Sequence, residues 1–166
     1  MSKKINLLET GNMLLAAQKI VLCCHVSPDG DTLGSALGLA RLLEQKGKEV
    51  TVFVDDDINK SLNFIPGIDK VQRPEAGVLV EADLFVVVDA SSFDRVGICN
   101  EVVKAPVLLN IDHHISNTEF ADYLYLDAEA AAAGEIMCDL FEAMGWEYDE
   151  AIAVDFYTCL LYTSPS

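Results

Sequence analysis

The chain has 166 residues, 51% of them hydrophobic and 23% charged, which is enough to build one soluble domain with a buried core. No apolar run approaches the roughly 20 residues of a transmembrane helix, so we expect no membrane partner. The net charge of −16 argues against binding long duplex nucleic acid through a basic surface.

The amino terminus and the cysteines indicate a cytoplasmic protein. Residues 1–18 are typical of an amphipathic helix and lack the long apolar stretch of a secretory signal. Cys23 and Cys24 lie in an apolar strand pattern, Cys138 lies in a helical one, and no CxxC pair occurs. We therefore expect reduced thiols and not disulfides.

Strand-like and helix-like segments alternate along the chain. After the N-terminal helix we predict, in order, a strand at 19–24, a helix at 32–47, a strand at 49–55, irregular structure at 56–82, strands at 84–90 and 107–112, and helices at 128–144 and from about 149. Strands that alternate with helices predict an α/β fold, a parallel sheet with helices on both faces.

The loop after the first strand carries three candidate metal ligands, His25, Asp29 and Asp31. Pro28 and Gly30 favour a tight turn that can direct both carboxylates to one side. Asp31 could instead serve only as the N-cap of the next helix. That alternative leaves His25 and Asp29 unexplained, so we interpret the loop as a ligand loop.

Two further strands end in similar residues. Asp89 is the first charged residue after the apolar run that begins at Leu84, and Asp112, His113 and His114 follow the run that begins at Val107. Taken alone, Asp89 could equally begin a turn. An aspartate followed by two histidines at a strand end is poorly explained by packing.

Together the three segments predict one site. The carboxyl ends of parallel strands meet at the same edge of a sheet, where such folds bind ligands. A mixture of aspartate and histidine suits a hard to borderline divalent cation. So many acids would repel one another without bound cations, and two cations sharing one carboxylate would relieve this repulsion.

These motifs resemble the DHH phosphoesterase family. The resemblance rests on HVSPDGD at 25–31, on Asp89 and on DHH at 112–114. Residues 32–39, 115–118 and 130–136 are similar to the subgroup of bifunctional oligoribonucleases and 3′-phosphoadenosine-5′-phosphate phosphatases. The resemblance covers nearly all of residues 5–158 and implies hydrolysis of short RNA or of a nucleoside bisphosphate, with a homodimer left open.

The resemblance also implies the ligands of two cations, with Mn²⁺ expected and Mg²⁺, Co²⁺, Fe²⁺ or Zn²⁺ as alternatives. One ion would be held by His25, Asp29 and Asp89. The other would be held by Asp31, Asp89 and His113, so that Asp89 bridges the pair. The cations would activate a water molecule for attack on phosphorus.

Two further residues receive catalytic roles by the same resemblance. His114 would face the scissile phosphate, and Asp112 would orient its neighbours without binding metal. Arg95 either contacts a substrate phosphate or pairs with Asp94 in a turn. We interpret the three acids at 55–57 as a solvated loop and not as a metal site.

The chain departs from the family pattern after residue 158. The letters CLLYTSPS match the translation of a common transposon-type sequencing adapter, so we expect residues 159–166 to be non-native; the alternative is an ordinary helix end followed by a Ser/Pro tail. The family's fourth motif, an aspartate on a turn, and its smaller substrate-binding domain are missing. We therefore predict an incomplete DHH domain at 1–158 with impaired activity.

Three other functions remain open. A manganese pyrophosphatase and a cyclic-dinucleotide phosphodiesterase share the fold that the resemblance implies. A non-catalytic domain that binds metal or nucleotide belongs to a different functional class.

Overall fold

The computed structural model describes residues 1–161, in which strands and helices alternate. The main sheet consists of β1 (Lys3–Lys4), β2 (Lys19–Cys23), β3 (Glu49–Phe53), β5 (Leu84–Val88), β7 (Leu108–Asp112) and β8 (Tyr123–Leu126). A separate pair of short strands comprises β4 (Val80–Glu81) and β6 (Val103–Lys104). The α-helices are α1 (Leu7–Ala16), α2 (Gly30–Gln45), α3 (Cys99–Val102), α4 (Ala133–Met144) and α5 (Glu150–Leu161).

The main sheet is parallel throughout, in the order β1-β8-β7-β5-β2-β3. The three strands that precede the predicted ligands, β2, β5 and β7, are direct neighbours. Their registers align Cys23 with Val87, and Val88 with Ile111, so the strands end at nearly the same level. The predicted parallel α/β fold is confirmed.

Alternate strand residues enter two apolar cores. Ile20, Leu22 and Val86 pack with residues of α1, α2, α4 and α5 on one face. Val21 and Val87 face the other side, with α3 and the 3₁₀ turn Phe93–Val96. Burial of each large aliphatic side chain contributes about 1.5–3 kcal/mol. Helices therefore cover both faces as predicted, although the second layer is small.

Helix α2 lies very close to α5 because glycines line the contact. A Cβ atom at Gly34 would overlap the Asp155 carbonyl oxygen, and one at Gly38 would overlap the Phe156 ring. Helix α5 therefore packs directly against the first half of α2, the helix whose start carries predicted ligands.

Several predicted boundaries shift. Helix α2 begins at Gly30 and not at 32, because Asp29 is its N-cap. Helix α4 begins at Ala133 and not at 128, and ends as predicted at Gly145, which has a φ of +68°. The strand predicted at 84–90 ends at Val88, because Asp89 has a φ of +62° and leaves the extended conformation.

Three features concern the chain as a whole. Among residues 1–161, no helix is both long enough and apolar enough to cross a bilayer. None of the five cysteines, which all lie within residues 1–161, forms a disulfide. Of the tail predicted to be non-native, residues 159–161 form the end of α5, while 162–166 lie outside the described residues; that prediction stays a prediction.

Candidate metal centre

His25 follows β2 and is buried, with 5% of its surface exposed. Its Nδ1 lies 2.7 Å from the Val26 carbonyl oxygen, which can only accept, so Nδ1 carries a proton. The other nitrogen, Nε2, lies 3.7 Å from Asp29 Oδ1 and 3.5 Å from Asp89 Oδ2. In the neutral ring this nitrogen is therefore an unprotonated ligand atom facing two carboxylates.

The start of α2 positions two aspartates by different means. Asp29 is the N-cap, and its Oδ1 accepts a hydrogen bond from the Thr32 amide at 2.9 Å. Asp31 is fully buried and accepts hydrogen bonds from the amides of Ala133 at 2.9 Å and Gly134 at 3.0 Å, at the start of α4. The alternative in which Asp31 is only a helix cap is therefore wrong; Asp29 is the cap, and Asp31 joins α2 to α4.

Asp89 lies at the end of β5 with 2% of its surface exposed. The left-handed backbone at this residue, rare outside glycine, turns the carboxylate across the ends of the neighbouring strands. Its Oδ1 lies 3.1 Å from His113 Nε2, and its Oδ2 lies 3.5 Å from His25 Nε2. Asp89 thus stands between two imidazoles from different strands.

The DHH segment directs its side chains differently. Asp112 is fully buried, and its Oδ1 accepts a hydrogen bond from His114 Nδ1 at 2.6 Å. His113 Nδ1 donates to the Ala130 carbonyl at 3.2 Å, which leaves Nε2 facing Asp89 and, at 3.6 Å, Asp31 Oδ2. His114 lies beside it with ring centroids 4.5 Å apart.

Two groups of side chains among the described residues could each hold a cation, and they share Asp89. The first is His25, Asp29 and Asp89, the set predicted for one ion. The second is Asp89, His113 and His114. Within each group the ligand atoms lie within 4.8 Å of one another.

The second group differs from the predicted set, in which Asp31 took the place of His114. Asp31 lies next to this group, 3.6 Å from His113 Nε2. His114 Nδ1, which is 3.9 Å from Asp89 Oδ1, already donates to Asp112. We therefore retain Asp31, Asp89 and His113 as the proposed second ligand set.

The donor set fits divalent cations. Asp89 Oδ1 is buried without a hydrogen-bond partner in the described chain, although His113 Nε2 is 3.1 Å away. Because His113 donates through Nδ1, its neutral ring and this carboxylate present two lone-pair atoms to each other. Such an arrangement needs a positive charge between the atoms, and aspartate and imidazole together are ligands that Mn²⁺ and related ions accept.

The pKa values show the same demand for positive charge. Burial alone would lower the pKa of His25, but Asp29 and Asp89 outweigh it and raise the value to about 10. The Asp89 carboxylate next to His113 raises the pKa of that imidazole to about 9. Burial and the nearby Asp89 charge raise the pKa of Asp31 to about 7. In the absence of cations, protons therefore neutralise the carboxylates.

Arg95 lies at the border of the site and not in a pair with Asp94, since residues 1–161 contain no ion pair between them. Its Nη2 is 3.3 Å from His25 Nδ1, although that nitrogen carries the proton donated to Val26. Arg95 is only partly buried, so a substrate phosphate could reach its guanidinium group.

The acids at 55–57 do more than the predicted solvated loop. Asp57 is exposed, but Asp55 accepts a hydrogen bond from the Ile98 amide and Asp56 accepts one from the Ser27 amide, both at 2.8 Å. These contacts hold the two loops that carry His25 and Arg95. These acids belong to neither of the two candidate metal groups among the described residues.

Sequence reasoning missed Asn110 and Asn117, which lie beneath the site. Asn117 donates to Asp112 Oδ2 at 2.7 Å, and Asn110 donates to the carbonyls of Val87 and Ala90. A polar residue inside the apolar run 107–112 was the available signal for Asn110. Asn117 had no comparable signal beyond its place in the run at 115–118.

Comparison with known proteins agrees with this geometry. Residues 19–163 match the model of the DHH family, N-terminal domain. The bifunctional oligoribonuclease and PAP phosphatase NrnA of Thermus thermophilus is 34% identical, covering 86% of this chain and 42% of that protein. The protein of the same name from Mycoplasma pneumoniae is 30% identical, covering 93% of this chain and 49% of that protein.

A solved structure shows the same fold. The exopolyphosphatase-related protein from Bacteroides fragilis superposes with a TM-score of 0.85 at 26% identity, covering 93% of this chain and 49% of that one. The chain thus spans less than half the length of these relatives. The match to the family model, together with the three ligand segments at one edge of the sheet, shows that the chain belongs to the DHH family of metal-dependent phosphoesterases.

Proposed function

We propose that this protein hydrolyses short oligoribonucleotides, 3′-phosphoadenosine-5′-phosphate or both, with two divalent cations and preferably with Mn²⁺. The observation that carries the proposal is the position of Asp89, whose two oxygens face the imidazoles of two separate candidate cation groups. A shared carboxylate can hold two cations close together, as two-metal phosphoryl transfer needs.

The cations, when bound, would activate a water molecule and neutralise charge on the phosphate. His25, Asp29 and Asp89 would hold one cation, and Asp31, Asp89 and His113 the other. The buried ligands exclude bulk water from this edge of the sheet, which strengthens every charge interaction there.

Three other residues act on the substrate side. His114, with 26% of its side chain exposed, would contact the scissile phosphate. Asp112 fixes the proton of His114 on Nδ1, so that Nε2 is the nitrogen left for the substrate. Arg95 would contact a second phosphate group at the border of the site.

The substrate class rests on the relatives that carry the names oligoribonuclease and PAP phosphatase. Short substrates also fit the charge of the chain, since a domain of −16 offers no extended basic surface for long nucleic acid. The cysteines form no disulfide among the described residues, which fits a reducing compartment, and we propose the cytoplasm.

The proposal is tested by metal-free protein supplied in turn with Mn²⁺, Mg²⁺ or Zn²⁺. Each form is incubated with a diribonucleotide, 3′-phosphoadenosine-5′-phosphate, pyrophosphate and a cyclic dinucleotide, and the products are separated by chromatography. The same panel is run on the chain as given and on a version extended to the length of its relatives. We expect Mn²⁺-dependent release of mononucleotide or phosphate from the first two, with the shorter chain slower.

The other functions predict different results. Cleavage confined to pyrophosphate or to the cyclic dinucleotide would support the corresponding enzyme instead. If both versions bind Mn²⁺ but cleave none of the four compounds, the chain is a non-catalytic binding domain and the hydrolase proposal fails.

A further inference from the structure

A chain of hydrogen bonds beneath the site connects His114 to the backbone on both sides of Asp89. His114 Nδ1 donates to Asp112 Oδ1 at 2.6 Å, and Asn117 Nδ2 donates to Asp112 Oδ2 at 2.7 Å. The same Asn117 nitrogen donates to Asn110 Oδ1 at 2.7 Å. Asn110 Nδ2 then donates to the carbonyls of Val87 at 3.0 Å and Ala90 at 3.2 Å.

Each asparagine side-chain amide in this hydrogen-bond network has only one orientation that satisfies all of its partners. Asp112 is a carboxylate that accepts, so Asn117 must turn its nitrogen toward it, and the second N–H of that nitrogen meets the Asn110 oxygen. Asn110 must therefore direct its own nitrogen to the two backbone carbonyls, which can only accept. The Asn117 oxygen accepts from the Glu119 amide at 2.8 Å. Both side-chain amides are thus satisfied, and flipping either one would break at least two hydrogen bonds.

The chain of hydrogen bonds ends at a strained part of the backbone. Val87 and Ala90 enclose Asp89, whose left-handed φ of +62° is unfavourable for a residue with a side chain. Asn110 is fully buried on the neighbouring strand β7 and bonds to carbonyls before and after this residue. Its two hydrogen bonds therefore oppose relaxation of the backbone that presents the shared carboxylate.

We propose that Asn110 and Asn117 are positioning residues that fix two parts of the site together: the backbone turn that presents Asp89 and the imidazole of His114. Neither asparagine contacts the candidate ligand atoms directly. The inference rests on the proposed function only for the purpose of the two groups that are fixed, because the hydrogen bonds themselves join protein atoms alone.

The first test is spectroscopic and needs no metal. In ¹⁵N-histidine-labelled protein, the His114 Nδ1–H donated to Asp112 should give a downfield, slowly exchanging resonance, assigned by its loss in His114→Gln. Asn117→Asp keeps the size of the side chain and the acceptor for Glu119 but replaces the donors to Asp112 and Asn110. Asn117→Ala removes the group altogether.

We expect the resonance to shift upfield or to exchange away in both Asn117 variants. It should be unchanged in Asn59→Asp, a matched control in which the asparagine caps the 3₁₀ turn Lys60–Leu62. An unchanged Nδ1–H resonance in Asn117→Asp and Asn117→Ala would overturn the proposal. A role in filling space alone predicts that Asn117→Asp behaves like the unsubstituted protein.

The second test measures Mn²⁺ affinity by calorimetry. Outer residues that orient ligands typically change metal affinity or activity by roughly 10–100-fold. We expect Asn110→Ala to weaken binding by roughly tenfold, with a smaller loss in Asn117→Ala, and a double variant whose loss is less than the product of the two, since both act in one network.

Folding is checked by circular dichroism, and if Asn110→Ala does not fold, the Asn117 variants alone decide. A folded Asn110→Ala that binds Mn²⁺ as tightly as the unsubstituted protein would overturn the role of Asn110. If the unsubstituted protein itself binds no Mn²⁺, the proposed function fails, while the histidine resonance still decides whether the asparagines orient His114.

Discussion

Asp89 illustrates how much of the site depends on single residues. Its backbone is left-handed, its carboxylate is buried, and one of its oxygens has no hydrogen-bond partner in the described chain. A buried, unsatisfied carboxylate costs free energy unless a cation or a proton compensates it. Without such compensation Asp89 therefore lowers the stability of the fold, while the same carboxylate is the shared ligand in the proposed chemistry.

We expect Asp89→Asn to lower turnover more than about a hundredfold, because one ligand of both cations would lose its charge. The measurement is the initial rate of Mn²⁺-dependent cleavage in the length-extended version. Asp57→Asn, whose carboxylate is exposed, serves as the control and should stay within about twofold. A rate for Asp89→Asn close to that of the control would contradict the bridging role.

Asp155 is another buried aspartate, and its burial changes its pKa. It is fully buried in α5, and neither of its carboxylate oxygens has a hydrogen-bond partner among residues 1–161. Burial raises its pKa to about 8, with Arg41 opposing the shift and Asp149 adding to it. It belongs to neither of the two candidate metal groups among the described residues.

The sign of the resulting pH dependence follows from proton binding. Between the unfolded pKa of about 3.9 and the folded value of about 8, the unfolded chain has lost the Asp155 proton and the folded chain keeps it. This residue therefore makes the free energy of unfolding fall as pH rises across that range.

We expect Asp155→Asn to stabilise the protein by about 1–3 kcal/mol near pH 8 and by almost nothing near pH 4. Urea denaturation at both pH values measures the difference, with the exposed Glu147→Gln as control. A gain that is equal at the two pH values would show that Asp155 does not titrate as inferred.

At the level of elements, the sequence predicted the strands that are buried on both faces and the helices that end in glycine. The apolar runs that precede His25, Asp89 and Asp112 identified three neighbouring strands and placed these polar residues at one edge. Strands β1 and β8 were missed. Strand β1 has only two residues, too few to show a periodic pattern, and the four residues Tyr123–Leu126 do not alternate clearly between buried and exposed side chains.

The site could be predicted in its composition but not in its internal contacts. The family resemblance grouped His25, Asp29 and Asp89, and the structure brings their ligand atoms within 4.8 Å of one another; their role as ligands stays a prediction. The bonds from Asp31 to the amides of α4 depend on a tertiary approach across about a hundred residues of sequence, which no local pattern reveals. The left-handed backbone at Asp89 likewise follows from its surroundings and not from its residue type.

The contact of α2 with α5 allows a test with two glycines. In an open helix, Gly→Ala stabilises by up to about 1 kcal/mol. At Gly34 the new Cβ would meet the backbone of α5, which cannot move aside, whereas at Gly11 it would meet only the flexible end of Met144.

We therefore expect Gly34→Ala to lower the free energy of unfolding by about 1–3 kcal/mol and Gly11→Ala to lower it less or to raise it. Thermal and urea denaturation measure both changes. If Gly34→Ala were as stable as Gly11→Ala, the close packing of the two helices would be wrong.

For the whole molecule, the net charge of −16 and the cluster of buried carboxylates make cation binding a stabilising event. Repulsion among like charges lowers the stability of a compact chain, and ions that bind only the folded state restore it. The effect of specific binding must be separated from general screening by salt, which acts on every surface charge.

We expect Mn²⁺ at a hundredfold excess over its dissociation constant to stabilise the fold by about 2.7 kcal/mol. For a chain of this size, that corresponds to a rise of roughly 5–10 °C in Tm, measured by calorimetry. KCl at equal ionic strength, and Mn²⁺ added to Asp89→Asn, should give a much smaller rise. Equal shifts in all three samples would indicate screening and not a site.

The arrangement of β2, β5 and β7 as neighbours affects the order in which the protein folds and binds ions. No two adjacent strands of this trio are joined by a tight hairpin, so the edge that carries His25, Asp89 and His113 exists only once distant parts of the chain have aligned. We therefore expect the complete centre to form only after β2, β5 and β7 have paired. An ion that needs ligands from more than one of these segments would then bind tightly only to chains in which the segments have come together.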